Sequence, residues 1–265
     1  MQFFFPRAAF AGRDATSDPP AGIVTACRMI VVVFALPEES REFRRAIGAV
    51  RQHGGWMGQV SGRCVRVEHC GVGPAAAAHA AAALLAREPL ELLVVAGFAG
   101  ALAPDLAIGD LVLATNFSTP AILQRTLEME TAARPGALVT VEHPVETIAA
   151  KRTLAASSGA IAVDMETAPL AAACTRADVP LLAIRVISDR ADEPLPVPFS
   201  VWFDLTRQRP RILPLLTFLA RHPGRIRAFA RFVHGLRPAR EALARFLITF
   251  LTGWSADDSR RCSGN

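Results

Sequence analysis

A chain of 265 residues with 51% hydrophobic and 20% charged side chains can bury a sizeable core, and no apolar run is long enough to span a bilayer. The five cysteines (Cys27, Cys64, Cys70, Cys174, Cys262) are odd in number and lack metal-ligand spacing, so they read as cytosolic thiols, not as a disulfide framework or a zinc module. Phe3 to Phe5 is too short for the apolar segment of a secretion signal, and Arg7, Arg13 and the Pro19-Pro20 pair follow it.

Residues 1–28 carry no periodic pattern, and Met29 stands directly before the first strand. They are expected to be a disordered extension, or sequence upstream of a start at Met29. From Met29 the pattern predicts a strand at Ile30 to Ala35, a helix from about Glu38 to Ile47, and two strands around Gln59 to Glu68. A helix follows from Pro74 to Arg87 with proline in its first turn. Strands are expected at Glu91 to Ala96 and Asp110 to Ala114, separated by a loop over Pro104 to Gly109. Asn116 to Gly136 is ambiguous, with a helical option at Glu128 to Thr131. Ile161 to Val163 and Pro180 to Ile187 read as buried strands on either side of an alanine-rich helix, Ala168 to Ala177. The alternation predicts an α/β domain over residues 29–200.

Two motifs end those last strands: Val163-Asp164-Met165-Glu166, and Arg185-Val186-Ile187-Ser188-Asp189. Ligands of α/β sheets sit at the carboxyl ends of strands, so acids held there rigidly point to one pocket. A bland alternative stands beside this: Glu166 caps the next helix, and Asp189 pairs with Arg185 or Arg190.

Both motifs resemble those of the nucleoside phosphorylase and nucleosidase family, which includes the methylthioadenosine/S-adenosylhomocysteine nucleosidases. The likeness extends through Ala35-Leu36-Pro37-Glu38-Glu39, Cys70-Gly71-Val72-Gly73, and Ala96-Gly97-Phe98-Ala99-Gly100 with Ile108-Gly109-Asp110 beyond it. It implies a three-layer fold, a central mixed twisted sheet flanked by helices, and cleavage of the bond between C1′ of ribose and N9 of a purine. It also implies catalytic roles for four residues. Asp189 donates a proton to N7, oriented by Ser188, and Glu39 holds the attacking water with help from Arg185. Glu166 accepts the ribose hydroxyls and Met165 packs beneath the sugar. Val163, Asp164, Cys70, Gly71, Gly73, Phe98 and His143 complete the expected substrate contacts. Neither a cofactor nor a metal is implied, and relatives suggest a homodimer. Water is favoured over phosphate as the nucleophile, because Val95 and Phe98 stand where phosphorolytic relatives carry anion-binding side chains, and Glu38 and Glu39 would repel phosphate. Cys70 replaces a serine usual near the water, and reads as a buried thiol. The segment from Ala114 to Ile161 is shorter than in the methylthioadenosine enzymes and lacks their purine-covering Phe; Pro144 falls nearest that place.

Residues 201–252 form the expected basic appendage, followed by a disordered tail at 253–265. Between Arg207 and Arg245 ten arginines face one acid, Glu241, so this stretch carries +9 of a net charge of +5 and the rest carries −4. Leu243, Phe246, Leu247, Phe250 and Leu251 recur at helical spacing, as do Ile226, Phe229, Ala230 and Val233. Prolines 210, 214, 223 and 238 are expected to break the stretch into short helices. Such a surface suits an anionic bilayer; a helical cap or a dimer contact is the alternative, and no nucleic-acid motif is present. With the shortened middle and Leu195-Pro196, this tail resembles the hopanoid-associated branch of the family, implicated in removing adenine from adenosylhopane. A soluble methylthioadenosine/S-adenosylhomocysteine nucleosidase or a phosphorylase is the next reading, and a non-catalytic nucleoside-binding, membrane-associated protein is a third.

Overall fold

The structure, a computed structural model, describes residues 29–52, 54–129 and 131–254. The chain opens with β1 (Met29–Phe34), α1 (Arg41–Ala46), β2 (Val50–Gln52), β3 (Gly55–Val60), β4 (Arg63–His69) and α2 (Pro74–Arg87). It continues through β5 (Leu90–Ala101), β6 (Leu111–Ala114), α3 (Pro120–Glu128), β7 (Ala133–Gly136), β8 (Leu138–Thr140), α4 (Ile148–Ser158), β9 (Ala162–Asp164), α5 (Thr167–Arg176) and β10 (Leu181–Asp189). The last segment holds α6 (Phe199–Trp202), β11 (Phe203–Asp204), β12 (Arg209–Pro210), α7 (Ile212–Arg221) and α8 (Pro223–Gly253). The expectation for residues 1–28, and most of that for the tail, falls outside the described residues.

The apolar strands assemble one mixed sheet in the order β2-β3-β4-β1-β5-β10-β6-β7, and β9, with β8 beside it, pairs with the end of β5. Its centre is parallel: β1 lies between β4 and β5, and β5 pairs with β10 from Leu93↔Leu181 onward. Alternation along β1 divides the core. Val31 and Val33 pack with Ala77, Ala81 and Leu170 under α2 and α5, while Ile30, Val32 and Phe34 face the layer of α1 and α3. This is the three-layer architecture that the sequence predicted.

Three expectations are corrected. Helix α3 occupies Pro120–Glu128 and ends where the helical option at Glu128 to Thr131 would begin. Pro120 starts it, in the first turn where a missing N–H costs nothing. The prolines of the tail divide it only in part: Pro223 stands where the 10-residue α7 gives way to α8, but α8 then runs for 31 residues straight through Pro238. Pro238 lies on the exposed side, and the carbonyl four residues earlier belongs to exposed His234, where water can replace the lost donor. The other prolines sit at Pro210 in β12, in the first turn of α7, and at the start of α8.

Nor is the end of the tail an appendage. Ala239, Leu243, Phe246, Leu247, Phe250 and Leu251 are buried against the sheet as part of the second core layer. Trp254, in the part expected to be disordered, is 3% exposed, and its indole N–H donates to Glu91 Oε1 at 2.7 Å. Helix α8 therefore closes one face of the sheet, much as α2 and α5 close the other. Removing the Phe250 ring should cost about 3 to 5 kcal/mol of unfolding free energy. Urea denaturation of Phe250→Ala against wild type is the check, and a loss well under 1 kcal/mol would show that the helix end is peripheral.

Candidate active site

The carboxyl ends of β1, β5, β9 and β10 converge, and the acids that follow them are buried. Glu39 lies just beyond β1, 7% exposed. Its Oε2 accepts the Leu36 N–H at 2.9 Å and its Oε1 accepts the Phe98 N–H at 3.0 Å. Burial raises the proton affinity of this carboxyl; the backbone N–H groups and Arg185 oppose that rise. A side chain at Gly97 would place its Cβ 2.6 Å from an Arg185 nitrogen and 3.1 Å from Glu39 Oε1, so only glycine lets both groups lie across β5.

Glu166 occupies the cap position of α5 but makes no side-chain cap bond. Its Oε1 instead accepts the Gly73 N–H at 2.9 Å. Burial pushes it up to about 7, with Asp164 and Glu39 adding to the rise and Arg185 opposing it. Asp189, at the end of β10, does not pair with Arg185 or Arg190. Its Oδ1 accepts from Ser188 Oγ at 2.7 Å, and its Oδ2 meets the buried ammonium of Lys151. Arg190 pairs with Asp192 at the surface.

Several expected contacts lie elsewhere. The Arg185 guanidinium, 1% exposed, sits behind the cavity wall, 2.5 Å from Asp164 Oδ2 and 3.8 Å from Glu166 Oε2, and donates to Thr167 Oγ1 at 2.8 Å. It braces the Asp164 carboxylate and lies near that of Glu166. The Asp164 carboxylate is wholly buried and committed to Thr140, Thr167 and Arg185, so its side chain is structural. Cys70 is buried, its Sγ 3.2 Å from the Gly71 carbonyl, and burial drives its thiol far up, with Glu166 adding to the effect. Gly71 faces the Gln208 amide, which binds both the N–H and the C=O of Val72, at 2.7 and 2.9 Å. His143 is exposed and lines a neighbouring hollow with Glu146, Phe203 and Arg211. Cys70, Gly71, Gly73, Arg185 and His143 are thus absent from the cavity lining.

Glu39, Phe98, Val163, Met165, Glu166, Ser188 and Asp189 share one cavity of about 310 Å³, and Asp164 lines it too although its carboxylate is buried. Pro144 and Val145 also line it. The lining also takes in Leu195, Phe199 and Trp202 of α6, and Phe232 and Leu236 of α8 together with Arg240. Sequence reasoning missed these four aromatic and aliphatic contacts from α6 and α8. It also missed Lys151, whose one signal is that the chain holds no other lysine.

A profile of the phosphorylase superfamily matches residues 29–125 and 119–210. The chain belongs to this superfamily. Over 177 residues, 54% of this member and 76% of its relative, it is 27% identical to a 5′-methylthioadenosine/S-adenosylhomocysteine nucleosidase of Shewanella pealeana. The Haemophilus ducreyi protein of the same name is 26% identical over 185 residues, 58% of this chain and 79% of that one. Among solved structures, futalosine hydrolase of Helicobacter pylori superposes with a TM-score of 0.64 at 18% identity, covering 86% of this chain and 99% of that one. The S-adenosylhomocysteine nucleosidase of Streptococcus pyogenes, in complex with 5-methylthiotubericidin, gives 0.64 at 21%, covering 88% and 100%. At these identities the structural likeness speaks for the fold of this superfamily member.

The Glu166 shift has a thermodynamic consequence. Between its ordinary value of 4.5 and about 7 the folded chain keeps a proton that the unfolded chain has released, so this group's contribution to stability falls as pH rises and levels off above 7. Glu166→Gln should flatten that descent. Urea unfolding of both proteins at pH 5 and pH 8 measures it, and an equal drop in the two would contradict the shift.

Proposed function

We propose that the protein is a purine nucleosidase that hydrolyses the C1′–N9 bond of a 5′-substituted adenosine, with adenosylhopane, cleaved to ribosylhopane and adenine, as the substrate that suits it. One observation carries the chemistry: Glu39, Glu166 and Asp189 are buried around a single cavity, each held by internal donors. Anionic adenine leaves with difficulty, so Asp189 protonates N7 as the bond breaks. Glu39 holds water on the other side of the sugar, and its raised proton affinity suits a group that takes the water's proton. Glu166 accepts the ribose hydroxyls, Met165 packs under the ring, and the nearby carboxylates favour the positive charge that develops on the sugar. The relatives named nucleosidases support this chemistry.

The wall of Phe199, Trp202, Phe232 and Leu236 supports a large apolar 5′ substituent. A second reading, phosphorolysis, is favoured by Arg240, which lines the same cavity and whose buried Nε has no hydrogen-bond partner among the described residues. Adenine release from adenosylhopane, 5′-methylthioadenosine and adenosine, each with and without phosphate, separates the readings. Hydrolysis predicts a free ribosyl product in phosphate-free buffer, with adenosylhopane turned over at the highest kcat/KM. An absolute phosphate requirement would move the protein to phosphorolysis, and a clear preference for 5′-methylthioadenosine would sink the lipid substrate.

The surface of α7 and the first half of α8 fits the same proposal. Ile212, Leu213, Leu216, Ile226 and Val233 are exposed there among Arg211, Arg221, Arg225, Arg227 and Arg231. Among the described residues no helix is long and apolar enough to cross a membrane, so the fitting mode is attachment to an anionic surface at the cytoplasmic side. Each arginine near such a surface adds about 1 kcal/mol that salt screens. Binding to phosphatidylglycerol liposomes should therefore weaken with salt, and further on changing Arg225, Arg227 and Arg231 to Gln. If that triple change instead alters subunit association and leaves liposome binding alone, the surface is a homodimer contact.

A further inference from the structure

Of the 29 basic residues in the chain, Lys151 is the single lysine; all the others are arginine. It belongs to α4, where Arg152, Thr153, Ser157 and Ser158 face solvent and Lys151 is the one buried residue, 1% exposed. Leu154 and Ala155 are only half-buried against a small apolar cluster, so the most buried side chain of the helix is an ammonium, which is costly unless the charge is paired and every donor is used. Both conditions hold. The Lys151 Nζ meets Asp189 Oδ2, the Arg190 carbonyl at 2.5 Å and the Glu193 carbonyl at 3.0 Å. Three oxygens surround three N–H groups. A planar guanidinium, longer and forked, cannot present its hydrogens to one such point. A chain that uses arginine at every other basic position keeps lysine where a tetrahedral ammonium alone fits.

We propose that Lys151 is the positioning residue for Asp189, deciding which carboxyl oxygen carries the proton delivered to the purine. This rests on Asp189 being the acid, as proposed above. An ammonium only donates, so Oδ2 remains an acceptor and the transferable proton resides on Oδ1. Ser188 Oγ lies 2.7 Å from that oxygen and 3.2 Å from the Ala99 carbonyl. Its one hydrogen points to Ala99 while Oδ1 is protonated, and turns to Oδ1 after transfer. In the step itself the Oδ1–H bond breaks and an N7–H bond forms, while the electrons of the C1′–N9 bond pass to the departing adenine. Asp189 is left as a carboxylate that accepts from Lys151 and Ser188 together. The two carbonyl contacts hold the backbone at residues 190 and 193, so the acid cannot swing out of the cavity when it loses its proton.

A double-mutant cycle tests this, using the full chain and the adenine nucleoside that wild type turns over fastest. Lys151→Gln should lower kcat by about 10²-fold with KM little changed. In an Asp189→Asn background, read by single-turnover adenine release, it should lower the rate no further, because the lysine acts through the acid. Lys151→Arg should not restore activity. Equal losses in both backgrounds, or full activity in Lys151→Arg, would overturn the positioning role while leaving the acid in place. Near-normal kcat in Asp189→Asn would instead sink the acid assignment itself. Should Lys151→Gln fail to fold, labelling with ¹⁵Nζ-lysine gives one ammonium signal in wild type. That signal should exchange slowly with water and move in Asp189→Asn. Exchange as fast as that of free lysine would contradict the three-oxygen cradle.

Discussion

Four carboxylates, Glu39, Asp164, Glu166 and Asp189, are buried at the carboxyl edge of one sheet, and the rest of the site follows from how their charge is balanced. A lone buried carboxylate is too costly to keep ionised, so each needs donors within reach. Two buried cations supply most of them. Arg185 lies against Asp164, near Glu166 and across Gly97 from Glu39, while Lys151 serves Asp189. Removing one member of such a set typically costs about 3 to 5 kcal/mol, because the partner is left buried and unpaired. The set is also incomplete by design of number: two cations do not cancel four acids. Burial raises the proton affinity of Glu39 and Glu166, two cavity-lining acids without an ion pair within ordinary bonding distance, and at Glu166 the neighbouring carboxylates Asp164 and Glu39 add to the rise.

That imbalance links stability to chemistry. A cavity lined by incompletely neutralised carboxylates is poorly suited to an anion and well suited to a sugar that becomes positive as its bond to the base breaks. The Asp164 carboxylate and Arg185 pair with each other behind the wall and fix the strand ends from which Glu166 and Met165 project. The same division of labour applies to the loop of Cys70 to Gly73. Gly73 gives its N–H to Glu166, and Gln208, from the turn between β11 and β12, fastens Val72. Residues expected to contact a substrate are therefore braces for the acids that line the cavity.

The basic tail shows how one sequence pattern can have two fates. Both halves of α8 are arginine-rich with apolar residues at helical spacing. The second half buries its apolar stripe against α1 and β10, and ends with Trp254 bonded to Glu91. The first half keeps Ile226 and Val233 in the open and sends Phe232 and Leu236 to the cavity wall. Nothing in the periodicity separates them. The sheet has room for only part of a 31-residue helix, and the remainder projects beyond it beside α6 and α7.

The sequence by itself determined the α/β alternation, the helix bounds of α2, and the strand-end acids, because these depend on local signals: apolar runs, a proline in a first turn, and carboxylates where a buried strand stops. Glu166, Ser188 and Asp189 were legible for that reason, Glu39 only through the family resemblance, and the structure gathers all four around one cavity. Local signals could not reveal pairings across the fold. Lys151 reaches Asp189 over 38 positions, and Arg185 takes Asp164 as its nearer partner. His143 lies one residue from a cavity-lining proline yet turns into a different hollow. Which apolar stripe is buried, which helices wall the cavity, and which oxygen of Asp189 stays free of the ammonium are all set by packing between distant segments. Only the tertiary structure decided them, since burial and charge pairing act through space and leave no periodic trace along the chain.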